Sequence, residues 1–234
     1  MERFSSKDPS SVIRVLEENN VDVCGLQEVP GAKQLHALFA DSPYACRFDD
    51  LYWSYGNALV YRKDRFTLVA HTLHLLKDGS GKKGALSVDL QRNGSKQILR
   101  FFVTHLSAKT EPQRLKEVGK LLDIVKLSEI PYFICGDFNS LSRGDYSDAE
   151  WESITSVRAT NHWESPKTEV VQRMKDAGFS DCLSEVGKPE PTSRFNTRVD
   201  YIWSAGWDIR SARVVTSDHN LSDHKPVICS FYTM

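Results

Sequence analysis

The run Tyr132-Phe133-Ile134-Cys135-Gly136-Asp137-Phe138-Asn139-Ser140 sets an acid and an amide two positions apart, directly after an apolar, strand-like stretch. Alternation along an extended chain puts Asp137 and Asn139 on one side, at the mouth of a rigid element. A carboxylate in that place can activate water or hold a metal, and a neutral carboxamide beside it can orient water or a phosphate. The same letters also suit a turn, because Gly, Asp and Asn all favour one. The run alone leaves both readings open.

Polar residues elsewhere shift the balance. Leu26-Gln27-Glu28, Phe102-Val103-Thr104-His105 and Ile134-Cys135-Gly136-Asp137 end apolar runs in functional groups. Arg198-Val199-Asp200 and Ser222-Asp223-His224 instead precede such runs. In a mixed sheet, strands running one way bring their C-terminal ends to the rim where opposed strands bring their N-terminal ends. All five clusters can therefore converge on one end. Taken singly, each reads as a turn, a satisfied histidine or an edge charge. Together they do not. Glu28, Asp137, Asp200 and Asp223 with two histidines form an oxygen-rich, thiolate-free set suited to a hard cation. No His/Cys pair has zinc-ligand spacing.

The elements that must position these groups are legible in outline. Asp8-Pro9 opens a helix with the stripe Val12, Ile13, Val15 and Leu16, stopped by Asn19-Asn20. A strand follows over Val21 to Leu26, then a short helix over Ala32 to Ala40. Further strands are expected at Ala58 to Tyr61, Phe66 to Leu76, Ala85 to Leu90, Ile98 to Thr104 and Tyr132 to Cys135. Thr110-Glu111-Pro112-Gln113 reads as a capping box before a helix carrying Leu115, Val118, Leu121, Leu122 and Val125. The polar stretch Ser140 to Thr197 holds two helices, one opened by Ser147-Asp148-Ala149-Glu150 and one by Ser165-Pro166 and closed by Gly178. Strands at Val199 to Ser204, Ile209 to Val215 and Val227 to Phe231 finish the chain. Strands in hairpin succession mixed with helical crossovers predict an α/β or α+β sandwich, two mixed sheets face to face with helices outside.

A chain of 234 residues with 40% hydrophobic content suffices for one large domain with a full core. No apolar run approaches the roughly 20 residues of a membrane span. A net charge of −1 gives no bulk field for long nucleic acid, so such a substrate would be gripped locally. Cys24, Cys135 and Cys229 sit in apolar runs and read as free thiols in a reducing, intracellular compartment, cytoplasmic or nuclear. The start, Met1 to Asp8, has no apolar core region and is not a signal peptide.

Six motifs in order, Leu26-Gln27-Glu28-Val29, Gly56-Asn57-Ala58-Leu59, Thr104-His105-Leu106, Gly136-Asp137-Phe138-Asn139, Arg198-Val199-Asp200-Tyr201-Ile202 and Ser222-Asp223-His224-Lys225-Pro226-Val227, span nearly the whole chain. With them the sequence resembles the endonuclease/exonuclease/phosphatase superfamily, the pancreatic deoxyribonuclease-like fold. The resemblance implies a four-layer α/β/β/α sandwich and Mg²⁺-dependent hydrolysis of a phosphoester, with Mn²⁺ as an alternative ion. It implies metal binding by Glu28, with Asp223 at the metal end of the site. Asp137 would take the proton from the attacking water, Asn139 would orient water or phosphate, and His105 and His224 would contact the scissile phosphate. Asp200 would orient His224, and Asn57 would touch substrate. Whether Asp137 or the Asp200–His224 pair is the base stays open at this stage.

The superfamily pattern also includes a first strand with a metal-site asparagine, for which this chain offers no match before Glu28. Truncation of the sequence is the expectation, against a strand supplied by another chain or a weakly catalytic binding subunit. Of the two triplets Ser217-Asp218-His219 and Ser222-Asp223-His224, the second carries the Pro-Val and the apolar strand that fit. Gly79-Ser80-Gly81-Lys82-Lys83-Gly84 lacks the spacing of a phosphate loop and reads as a hairpin turn. Arg114 is expected on a solvated face. Trp151, Trp163, Trp203 and Trp207 are expected mainly in the core, with base stacking the alternative. Substrate choice is assigned to the 140–197 insertion and the loop from Asp49 to Tyr55. DNA, RNA, inositol phosphates and sphingomyelin all remain candidate substrates, and the oligomeric state is not legible.

Overall fold

Val12, Val15 and Leu16 recur at helical spacing and form the buried stripe of α1 (Ser10–Glu18). Asn20, at φ 49°, ends it in the left-handed region that Asn tolerates. In this computed structural model the described residues are 10–49, 55–77, 83–126, 128–186, 189–216 and 222–232. Asp8-Pro9, residues 50–54, the glycine-lysine turn at 79–82 and the Asp218-His219 pair lie outside them. The chain continues through β1 (Val23–Val29), α2 (Ala32–Phe39), β2 (Tyr44–Phe48), β3 (Gly56–Arg62), β4 (Phe66–Lys77), β5 (Lys83–Arg92), β6 (Ile98–His105), α3 (Glu111–Val125) and β7 (Tyr132–Asp137). Then follow α4 (Asp148–Thr160), α5 (Glu169–Asp176), β8 (Ser180–Asp181), α6 (Cys182–Val186), β9 (Asp200–Ser204), β10 (Ile209–Val214) and β11 (Val227–Phe231).

Period-two burial builds the layers. On β3, Leu59 and Tyr61 face Leu86, Val88 and Leu90 of β5 and Val103 of β6, which makes the core between the two main sheets. Their neighbours Ala58 and Val60 face the other way, onto Leu16 of α1 and Leu35 and Phe39 of α2. On the far side, Phe102, Ile134, Tyr201 and Trp203 meet Val118, Leu121 and Leu122 of α3 and Val170 and Met174 of α5. The order is helices, sheet, sheet, helices: the four-layer sandwich that the sequence predicts. Each fully buried Val, Leu or Phe here contributes about 1.5–3 kcal/mol of transfer free energy.

The larger sheet has strand order β4-β5-β6-β7-β9-β8, and the smaller has β1-β3-β2, with β10 and β11 as a two-stranded ribbon. Two pairings of the larger sheet decide where the site lies. β6 and β7 run parallel with His105 opposite Asp137, and β9 runs antiparallel to β7 with Asp200 opposite Asp137. Gly136 makes this close pairing feasible: a Cβ there would sit 1.9 Å from the Thr104 carbonyl oxygen, and its φ is 151°.

Several local expectations are corrected. Arg114 is buried on α3, its guanidinium on Glu111 at 2.8 Å, on Glu164, and on the Ser107 carbonyl at 3.1 Å. Three acceptors outweigh the solvation it gives up. Thr110 makes no side-chain cap: the Gln113 backbone N–H goes to the Thr110 carbonyl at 3.1 Å, and the Gln113 carboxamide accepts the Ser107 hydroxyl at 3.0 Å. The Ser147–Glu150 capping box does form. α5 begins at Glu169, not at Ser165-Pro166, and ends before Gly178, at φ 88°. Trp203 is core, whereas Trp163 is 43% exposed. β2, β8 and α6 have no counterpart among the elements that the sequence pattern predicts. All five cysteines are free, and burial raises the Cys24 and Cys135 thiols to about 12, so neither is a ready nucleophile. Among the described residues no helix is long and apolar enough to cross a membrane.

Candidate active site

Register carries the side chains into one place. His105, Asp137 and Asp200 sit on adjacent strands at one level of the sheet. His224 comes from the segment before β11, and a β-bridge from Ser193 brings it in. One ligand atom from each of Asp137, Asp200 and His224 lies within 4.8 Å of the others. The structure thus brings together four of the predicted site residues, His105, Asp137, Asp200 and His224.

Asp137 is buried, and its Oδ1 accepts the Asn139 backbone N–H at 2.7 Å. Burial, with the facing Asp200 charge second, pushes its carboxyl up to about 7. Asn139 holds φ 48° while its side-chain amide donates to the Leu106 carbonyl at 3.1 Å, which fixes the turn beyond β7. His224 Nδ1 lies 2.9 Å from Asp200 Oδ2. Burial opposes charge on this ring, but the Asp200 bond and the charges of Asp200, Asp137 and Asp223 more than offset it and raise the imidazole to about 9. His105 is the reverse case. Burial, then the nearby Lys83 and His224 charges, holds it down to about 3. Its Nε2 is 3.6 Å from Asp137 Oδ2, too long for a hydrogen bond. The contact is therefore one of a neutral ring beside a carboxyl group, not an ion pair.

Glu28 and Asp223 stand outside the three-residue ligand group. Glu28 sits in a bulge of β1, at φ 55°, where the β1–β3 register slips between Leu26 and Val29. Asp223 faces Arg194, its Oδ2 3.7 Å from Nε. Asn57, at the start of β3, donates to the Gly84 carbonyl at 3.3 Å and ties the two sheets together at this rim.

Two features escape a reading of the sequence. Lys83, first residue of β5, feels the charges of Glu117, Asp137 and Glu28, and burial lowers its ammonium. The second is a clamp at residues 192–197. The Thr192 hydroxyl accepts the backbone N–H of Val199 and Asp200, and its carbonyl accepts that of Lys225 at 2.6 Å. Arg194 N–H donates to the Asp223 carbonyl at 2.9 Å. One short segment therefore holds both the start of β9 and the His224 backbone. Its only sequence signal is a Ser193–Thr197 pair flanking a turn, hydroxyls 2.8 Å apart.

The donor chemistry fits a divalent cation. Two carboxyl groups face each other in register with one imidazole as counter-charge, and the repulsion that helps raise Asp137 is what a bound cation would relieve.

The sequence profile of the Endonuclease/Exonuclease/phosphatase family matches residues 3–224. No curated protein sequence matches. Among solved structures, the human Nocturnin catalytic domain with bound sulfate superposes with TM-score 0.70 at 22% identity, over 97% of this chain and 88% of that one. Mannosyl-6-phosphatase of Bacteroides thetaiotaomicron gives 0.68 at 15% identity, over 96% and 90%. Truncated TDP2 of Caenorhabditis elegans gives 0.66 at 17%, also over 96% and 90%. These likenesses establish the shared fold.

Proposed function

The chain belongs to the Endonuclease/Exonuclease/phosphatase family, a family of phosphodiesterase and phosphatase hydrolases generally dependent on divalent metals, and from that premise we propose that it is a Mg²⁺-dependent phosphodiesterase acting on nucleic acid. The observation that carries the proposal is the in-register meeting of His105, Asp137 and Asp200, with His224 on Asp200.

In the proposed reaction Asp137 lies next to the attacking water and takes its proton, as a carboxyl raised toward neutrality can. The water oxygen bonds to phosphorus in line with the departing ester oxygen. His224 is held by Asp200 through Nδ1, and with its imidazole raised to about 9 the ring is charged at neutral pH, so Nε2 also donates, to a phosphate oxygen that gains charge. This assigns the base to Asp137 and leaves His224 as a donor. His105, kept neutral, hydrogen-bonds water or phosphate without competing for the proton. Asn139 keeps the Asp137 carboxyl aimed by its backbone N–H. Glu28, whose charge acts on Lys83 together with that of Asp137, is the carboxylate that would hold the metal beside the Asp137–Asp200 pair, with Asp223, which faces Arg194, at the edge of the site. When bound, the metal would supply Lewis-acid neutralisation of the phosphate oxygens.

A panel of single-stranded RNA, single- and double-stranded DNA, sphingomyelin, inositol polyphosphates and a sugar phosphate, each with a divalent cation, tests the substrate class. The proposal expects turnover of a nucleic acid. Turnover confined to a phosphomonoester or a lipid would overturn it.

A further inference from the structure

Beside the rim, α4 and the 189–198 segment enclose a cavity of about 420 Å³, within the roughly 300–1,000 Å³ of small-molecule sites. Two large rings stand at it in water: Trp163 is 43% and Phe195 45% exposed. They pack edge to face with centroids 4.9 Å apart. Their remaining exposed ring surface offers a stacking platform at the cavity. The Arg194 guanidinium lies 4.8 Å from the Phe195 centroid, and its Nε is 3.7 Å from Asp223, the neighbour of His224. A cation thus stands between the ring pair and the catalytic rim. Asn196, exposed and at φ 57°, also lines the cavity.

The lining discriminates among ligands. Asp145 and Arg198 of the lining are spent on each other, and Arg198 on Asp181 as well, which leaves Glu150 and Glu190 against Arg158. A polyphosphate headgroup would set its negative charges against carboxylates. An acyl chain would desolvate those same carboxylates and the Asn196 amide without a partner. A flat, uncharged heterocycle with a hydrogen-bonding edge satisfies both rings and polar groups. Distance agrees as well. Ser193 pairs with His224, and Phe195 lies two residues on in the turn closed by the Asn196 N–H on the Ser193 carbonyl at 3.1 Å. That is at most about 7 Å of chain, one or two steps of a stacked strand at about 3.4 Å each.

We propose that this cavity is a nucleobase subsite: Trp163 and Phe195 stack on a base one or two nucleotides from the scissile phosphate, Arg194 contacts the intervening phosphate, and Asn196 reads the base edge. The inference deepens the nuclease reading of the rim and rests on it.

The test is binding of the full chain, in EDTA, to a fluorescently labelled single-stranded pentanucleotide and to its abasic counterpart of the same length. The pentanucleotide binds about tenfold tighter, the usual scale for base–aromatic stacking. Phe195→Ala and Trp163→Ala each pull the affinity ratio toward one, and Trp163→Phe restores most of it. Both side chains are exposed, so the variants keep the native melting temperature. Equal affinity for the two probes overturns the subsite, as does a ratio indifferent to both alanine variants, or tighter binding of inositol hexakisphosphate than of the pentanucleotide. Hydrolysis of the same probes with Mg²⁺ separates the two readings. Base preference without hydrolysis would leave the subsite standing and remove the nuclease; hydrolysis without base preference would do the reverse.

Discussion

The rim of the larger sheet and the cavity beside α4 share the 192–198 segment, yet different forces hold them in shape. At the rim, main-chain pairing does the work: His105, Asp137 and Asp200 are aligned by the β6–β7 and β7–β9 registers before any side chain is considered. Around the cavity, two buried arginines do it. Arg198 binds Asp181 through both terminal nitrogens, at 3.1 and 2.6 Å, and Asp145 at 2.7 Å, with its guanidinium 4.2 Å from the Tyr201 ring centroid. Arg114 joins α3 to Glu164 in the loop that carries Trp163. The rim is fixed by backbone geometry, and the cavity wall is hung on ion pairs. A side-chain change at the rim should therefore cost rate and leave the fold intact, while a change at the arginines should cost stability.

The sharpest way to break that contrast is Asp137→Asn. It should lower kcat by about 10²–10⁴-fold, the range for loss of a general base, with a melting temperature that does not fall, because burial and the facing Asp200 already disfavour the charged carboxylate. A comparable loss of stability would show that the rim is held by its side chains after all. Next comes Arg198→Met, which leaves Asp181 and Asp145 uncompensated in the interior. Denaturant titration should show a loss of about 3–5 kcal/mol, and a neutral result would undo the claim about the cavity wall.

Asp200→Asn should lower kcat about 10–100-fold, the usual cost of losing a group that orients another. It also sharpens the electrostatics. In metal-free protein the His224 ring titrates near 9, above its unfolded value of about 6.5. The stabilisation from this pair is thus complete below about pH 6.5 and lost as pH rises through about 9. Asp200→Asn should bring the His224 NMR titration down and flatten that loss. The smallest effect expected is Ser147→Ala, which removes the α4 cap and about 1 kcal/mol, seen as a small shift of the denaturant midpoint with kcat unchanged.

The contrast also explains what the letters disclosed. Rim residues lie where apolar runs stop or start, so His105, Asp137, Asp200 and His224 announce themselves by position alone. Burial of an arginine leaves no such mark. Arg114 occupies a helical position that suits solvent equally well, and Glu111 three residues before it, Glu164 fifty residues on and the Ser107 carbonyl make it internal. The Thr192 clamp depends on bonds to residues 199, 200 and 225, none of which has a local signature. β2 was missed because Tyr44–Phe48 is short and carries Arg47. Thr110 had the letters of a capping box, but the Gln113 carboxamide bonds Ser107 and its backbone N–H the Thr110 carbonyl. Lys83 looked like one more lysine of a flexible turn until β5 placed it by Glu117 and Asp137.

The measurement that bears most directly on the central claim is turnover of a single-stranded oligonucleotide by the native chain, stripped with EDTA and then titrated with Mg²⁺, beside Asp137→Asn treated identically. The account predicts no hydrolysis after stripping, recovery with added Mg²⁺, and no recovery in the variant. Hydrolysis that persists in EDTA, or that Asp137→Asn leaves intact, would contradict it.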